Sequence, residues 1–199
     1  KGSEDLFELS YSIIGNLVSY INVNQGGIFI VNDENPDDIY LELASSIAYN
    51  RRKFTERRIN IGDGLVGACA FEKKKIYISN LPDDYTEIRS GLGTANPSSL
   101  LIVPLLMEDN LIGVIELASL KEIDDFDIEF VEKVSESIAA SLYATKINAK
   151  TSQLQHDYDQ LVSRNNALDE DILEKEKNIK QLKRKITNLQ EDKSILSIK

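Results

Sequence analysis

Leu6, Phe7, Leu9, Ile13, Ile14, Leu17, Val18 and Ile21 recur three and four residues apart near the start of the chain. One helix of about five turns would gather them on a broad apolar face, tolerating Gly15 inside it. Asn24-Gln25-Gly26-Gly27 ends that period, and the apolar run 28–31 reads as a buried strand. The turn-rich stretch 32–38, with Pro36, leads into 39–44, a second strand able to pair back as an antiparallel hairpin. Residues 76–78 make a short strand. Two stronger apolar runs, 99–107 and 111–118, are joined by Glu108-Asp109-Asn110, a tight hairpin connection. The pattern predicts an α+β fold, an antiparallel β-sheet of five or six strands flanked by helices.

Beyond Asp124 the chain has neither proline nor glycine, so one helix can run to the C-terminus. Phe130, Val131, Val134, Ile138 and Leu142 are expected to pack on the globular part. Farther on a seven-residue repeat takes over. Leu154, Leu161, Leu168, Leu182, Leu189 and Leu196 fall at d, and Tyr158, Asn165, Ile172, Ile179 and Ile186 at a. Ile at a with Leu at d favours two parallel strands, and one buried Asn, Asn165, fixes register and partner number. Lys175 at d and Lys193 at a weaken the seam locally. The same frame runs back through Thr151, Ile147, Ala144 and Ala140, small or modest side chains that allow two helices to approach. The expected organisation is therefore a head, 1–150, followed by a parallel coiled coil, 151–199, with a second copy of the chain as the partner.

Charge narrows the partners. Of 33 acidic and 23 basic residues, nine of each lie in 151–199, so the whole negative surplus belongs to the head. An acidic body is a poor match for nucleic acid or an anionic membrane, where each phosphate contact needs a cation. A single cysteine, Cys69, rules out an internal disulfide and points to a reducing, cytoplasmic setting. No apolar run approaches the roughly 18 residues of a membrane span. The opening Lys1-Gly2-Ser3, without Met, reads as that of an excised fragment.

The stretch 62-GDGLVG-67 has the spacing G-x-G-x-x-G of a dinucleotide-binding turn. That fingerprint needs a buried strand before the glycines and a helix of several turns after them. Here the apolar run before them is 59–61 and the helix-like stretch after them, 65–71, has barely two turns. Asp83 and Asp84 do come at about the right distance, but the context reads as a structural turn, and no cofactor is expected. Cys69, between Ala68 and Ala70, reads as a small buried hydrophobe. His156, the only histidine, falls at heptad position f and faces water. Neither a catalytic constellation nor a metal-ligand set emerges, and the chain is expected not to be an enzyme. Residues 79–98 form a twenty-residue irregular segment, the place to look for a pocket.

Taken in order, the helix, hairpin, glycine turn 62-GDGLVG-67, short helix, strand, loop 89-RSGLGTANPSSLLIVPL-105, hairpin end 112-IGVIELAS-119 and exit helix 126-FDIEFVEKVSESIA-139 resemble a GAF domain of bacterial sensor proteins. The resemblance covers about residues 10–148. It implies a sensory and dimerisation module with a small-molecule cavity, bordered by Phe29, Tyr77, Arg89, Asn96, Ser98 and Ser99. Family chemistries that leave a sequence mark are not matched. The cyclic-nucleotide type resembles N-K followed by F-x-x-x-D-E, whereas Ser119-Leu120 and Phe126-Asp127-Ile128-Glu129-Phe130 stand here. Bilin attachment uses Cys beside His, and Cys69 precedes Ala70. Methionine sulfoxide reductases of this fold use several cysteines, and a lone one cannot resolve its sulfenic acid within the chain. The rival reading is a structural coiled-coil scaffold whose head binds no ligand.

Overall fold

The computed structural model describes residues 2–48, 51–53, 58–79, 81, 88–90 and 93–196. The elements in chain order are α1 (Gly2–Tyr20), β1 (Gln25–Asn32), β2 (Tyr40–Ala48), β3 (Arg51–Lys53), β4 (Arg58–Asn60), α2 (Gly64–Glu72), β5 (Ile76–Ser79), β6 (Ile88–Ser90), β7 (Gly93–Ala95), β8 (Ser99–Met107), β9 (Asn110–Ser119) and α3 (Asp125–Leu196). The chain divides into two compact units, Lys1–Lys150 and Thr151–Lys199.

In the first unit the main sheet runs β3-β2-β1-β9-β8-β5, with β4 also paired to β2, and β6-β7 forms a separate hairpin. Its pairings are antiparallel. Helices cover both faces, which is why the central strands read as continuous apolar runs instead of alternating ones. On one face Ile28, Ile30, Leu101, Val103, Ile115 and Leu117 join Ile14, Leu17 and Val18 of α1 and Val131, Ala139 and Leu142 of α3. The opposite face, with Phe29, Leu41, Leu100, Ile102 and Val114, packs against Val66, Cys69 and Ala70 of α2.

The sheet is wider than the periodicity indicates because β3 and β4 are three residues each in a polar, Arg-rich stretch with no apolar period. The second strand also runs to Ala48, four residues past its expected end. A bulge opposite Ile28 and Phe29 places Ala44 out of phase, so the alternation stops in the sequence where the strand continues. At the other side of β1, Gly113 permits close approach: a Cβ there would lie 2.2 Å from the Phe29 carbonyl oxygen.

Helix α3 starts at a proper cap, the Asp124 carboxylate accepting the Asp127 N–H at 2.8 Å. Near the end of the first unit Lys146 donates from Nζ to the Val31 carbonyl (2.8 Å) and to Asp33 (2.7 Å), pinning the helix to the end of β1.

Candidate functional site

The glycine motif sits between a three-residue strand and a nine-residue helix in an antiparallel sheet, so the parallel strand–helix–strand unit of a dinucleotide site is missing there. Its glycines answer to local sterics instead. Gly62 and Gly64 have φ of 97° and 60°, and the Gly62 N–H donates to the Gly67 carbonyl at 2.9 Å. Cys69 on this helix is fully buried, and burial, reinforced by the charge of Glu72, pushes its thiol up to about 12. Any thiol chemistry in this chain must use Cys69, since it is the one cysteine, and in this conformation it is protonated and shielded.

Of the residues expected to border a cavity, the described side chains are distributed over both faces of the sheet and the connector after β9. Phe29 points to the α2 face and is 1% exposed. Tyr77 packs on the opposite face, with the α1 and α3 residues, and its hydroxyl donates to the Ile123 carbonyl at 3.0 Å. Ser98 and Ser99, at the start of β8, donate to the carbonyls of Leu120 (2.9 Å) and Lys121 (2.6 Å). Asn96 is exposed. Arg89 lies in β6, opposite Thr94, but its side chain is outside the described residues. Three of the six thus meet at residues 120–123, the connector into α3.

Strand register shows a second arrangement that the apolar pattern did not reveal. Gly27 pairs with Ser46 on one side and Glu116 on the other. Its neighbours in sequence, Gly26 and Ile28, belong to the α1 side, so this row faces α2. Gln25, two residues earlier on the same face, has a buried side-chain oxygen without a hydrogen-bond partner. A polar row across three central strands, with a glycine at its middle, is a local break in an otherwise apolar face. The signal was present in the sequence as Glu116 inside an apolar strand.

On the other side of the molecule an open groove of about 710 Å³ lies between the α2–β5 turn and α3, with Val103, Pro104 and Leu106 as its floor and Lys75 and Glu132 on its rim. The two rim charges pair at 2.7 Å. Among the described residues no group of three His, Cys, Asp or Glu side chains is placed to hold a metal ion. No helix among them is long and apolar enough to cross a membrane.

The second unit is helical, and its described side chains are exposed. Leu154, Tyr158, Leu161, Leu168, Ile172, Ile179, Leu182 and Ile186 are each 50–63% exposed. Asn165 lies within this stripe, while the side chain of Leu189 is outside the described residues. Off the stripe, polar residues pair one turn apart, as in Gln153–Asp157 and Gln155–Asp159. His156 contacts Gln160 at 2.8 Å in the same manner.

A curled antiparallel sheet with helices on both faces and a long exit helix defines a GAF-like α+β domain. A family model of the GAF domain matches residues 3–142, and the chain belongs to that family. Solved structures agree on the fold. They include the GAF domain of a phosphoenolpyruvate-protein phosphotransferase from Coxiella burnetii (16% identity, 73% of this chain and 86% of that one, TM-score 0.58). The GAF domain of a two-component sensor histidine kinase from Bacillus halodurans is also similar (16% identity, 69% and 95%, TM-score 0.52). So is a type II free methionine-R-sulfoxide reductase from Thermoplasma acidophilum (16% identity, 72% and 96%, TM-score 0.56). No curated protein sequence matches the chain. The reductase corrects one expectation. Reading the chain as not an enzyme leaned on the absence of a recognisable catalytic set, yet enzymes share this architecture, so the fold does not exclude catalysis.

Proposed function

We propose that this chain is the sensory and dimerisation part of a signalling protein, a GAF domain with a small-molecule site whose last helix continues into a parallel two-stranded coiled coil. The observation that carries the reading is the exposed stripe at a and d. Eight large apolar side chains stand at least half in water along one helix. Burying what is still exposed of each contributes about 1–2 kcal/mol, and an isolated helix has little else to hold it. A second copy in register covers all eight at once, and Asn165 opposite its own equivalent selects two parallel strands.

For the small-molecule site the best support is the polar row of Gln25, Ser46 and Glu116 around Gly27 on the α2 face. The scaffold reading has support of its own: Tyr77, Ser98 and Ser99 use their hydroxyls on the chain's own backbone. The two part in a thermal melt of the full chain against a metabolite panel, at fixed protein concentration. A ligand at 100 times its dissociation constant stabilises by about 2.7 kcal/mol, and Glu116→Gln should reduce that shift. A panel that moves nothing favours the scaffold. Light scattering checks the dimer, and a mass of one chain at micromolar concentration defeats it.

A further inference from the structure

Residues 120–123 carry five backbone polar groups that are satisfied by side chains instead of by helix or sheet. The Leu120 N–H donates to Asn24 Oδ1 (2.8 Å), and the Leu120 carbonyl accepts from Ser98 Oγ (2.9 Å). The Lys121 N–H donates to Ser119 Oγ (3.1 Å), and its carbonyl accepts from Ser99 Oγ (2.6 Å). The Ile123 carbonyl accepts from Tyr77 Oη (3.0 Å). Backbone groups at the edge of a core must find partners, but water or a local turn would serve for a surface connector. Here four of the five partners come from places distant in sequence, the α1–β1 loop, β5 and the start of β8, and the fifth is Ser119 at the end of β9.

Two of these side chains sit where a hydroxyl costs free energy unless it is bonded. Ser99 is 0% and Ser119 is 3% exposed. Alanine or valine would fit the apolar strand at either position without that requirement, so the connector gives the hydroxyls their use. Neighbouring contacts reinforce the convergence. The Asn24 N–H donates to the Ala118 carbonyl at 3.1 Å, and the Ser98 N–H to the Ser119 carbonyl at 2.7 Å. The rings of Tyr20, the last residue of α1, and Phe130, in the second turn of α3, lie 4.7 Å apart.

We propose that residues 120–124 form a polar junction that sets where α3 begins, by adding together the positions of the α1 exit, of β5 and of the start of β8. Tyr77, Ser98, Ser99 and Asn24 are its positioning residues. A displacement of β5 or of the start of β8 cannot leave the connector in place, because the same hydroxyls hold both. The first turn of α3 must then move or lose its hydrogen bonds. The junction needs neither a ligand nor a dimer, so it stands or falls separately from the sensory function.

The test is hydrogen–deuterium exchange on the full chain carrying Tyr77→Phe, Ser99→Ala, or both. Each change removes a hydroxyl and leaves the packing volume nearly unchanged. For the double variant, amides in 120–130 should exchange about tenfold faster, because two net hydrogen bonds are lost from a local opening, while those of β1 and β9 keep their rates. Equal acceleration throughout the first unit, or no change in 120–130, overturns the proposal. If the double variant fails to fold, Tyr77→Phe and the exposed Ser98→Ala answer the same question singly, with about threefold local acceleration expected for each. A Phe130→Trp reporter, in a chain that has no tryptophan of its own, gives a second readout. Its emission should shift with Tyr77→Phe, and an unchanged spectrum together with unchanged exchange rejects the junction.

Discussion

Replacing Gly67 by alanine should destabilise the first unit, although alanine is by about 1 kcal/mol the better helix former. Gly67 lies inside α2, and a Cβ there would stand 2.5 Å from the Asn60 carbonyl oxygen and 3.0 Å from the Gly62 nitrogen. Both are backbone atoms of the turn entering the helix, so neither can swing aside as a side chain would. Relief requires α2 to lift by the better part of an ångström. That motion opens the contacts of Val66, Cys69 and Ala70, which are 4%, 0% and 2% exposed. Overpacking of this kind costs about 1–3 kcal/mol. Gly15 supplies the opposite case. It too lies in a helix, but the nearest atom to its Cβ is the Ile47 Cδ1 methyl at 3.1 Å, the far end of a flexible side chain. Gly15→Ala should be neutral or stabilising by up to about 1 kcal/mol. Urea unfolding of the full chain, at one protein concentration, decides. For Gly67→Ala, a loss of about 2 kcal/mol moves the midpoint down by roughly 1 M at the slopes usual for small domains. If the two variants shift the midpoint in the same direction and by the same amount, the steric account of the glycine turn is wrong.

Asn165→Ile should raise the thermal midpoint while admitting other oligomers or registers, read by analytical ultracentrifugation; a destabilised, strictly dimeric variant contradicts the seam. Lys146 holds the Asp33 carboxyl below its ordinary range, chiefly through the hydrogen bond and further through its charge, and together these outweigh the opposing desolvation. A depressed folded value means the pair stabilises above the unfolded value near 4 and loses this as pH falls through the folded one. Lys146→Met should therefore reduce stability at pH 7, and the gap to wild type should narrow in acid to the pH-independent part left by the lost bond to the Val31 carbonyl, with a modest effect because Asp33 is half exposed; a constant difference at every pH removes the electrostatic cause. Inserting one residue near Lys150 rotates the downstream helix by about 100°, whereas inserting seven keeps the seam nearly in phase. In a fusion to a reporter kinase the seven-residue insertion should preserve output and the single one should lock or abolish it, and equal activity of both would make the helix a tether.

Much of this fold is visible in the sequence because burial on both faces leaves a strong mark. The runs 28–31, 99–107 and 111–118 fall in β1, β8 and β9, and the long helix is foreshadowed by the absence of proline and glycine after Asp124. Strands β3 and β4 escape because three residues held by pairing with β2, all basic in β3 and with Ile59 alone apolar in β4, are too few to show an apolar period. The candidate site was less legible for a geometric reason. Phe29 and Tyr77 look alike in sequence, as aromatics inside apolar strands, but one register step separates the two faces of a sheet. Phe29 pairs with Val114 toward α2, and Tyr77 pairs with Leu101 toward the other face. Strand order was needed to tell them apart. It was needed also to see that Ser46, Gly27 and Glu116, far apart in the chain, stand side by side.

In the proposed dimer helix α3 uses two faces for two purposes, and the heptad letters make the separation visible. In the first unit the frame of Leu154 and Tyr158 extends back to Ile147, Ala144, Ala140, Ser137, Phe130 and Phe126 at a and d. Apart from Phe130, which meets Tyr20, these are exposed. The side chains buried against the sheet are Ile128, Val131, Ala139 and Leu142, which fall at f, b, c and f. Packing on the domain therefore draws mainly on the face opposite a and d, with Phe130 the one named a or d side chain it engages over the same turns. A helix that had to serve both with one face could do so only in succession, with a break in phase between them. Here no break is needed, since Ser137, Ala140 and Ala144 keep the seam side shallow where the domain occupies the other side. The same arrangement explains why the apolar period of α3 is hard to read as a single stripe: two stripes on opposite faces overlap between Phe126 and Ile147, and only one continues beyond Thr151.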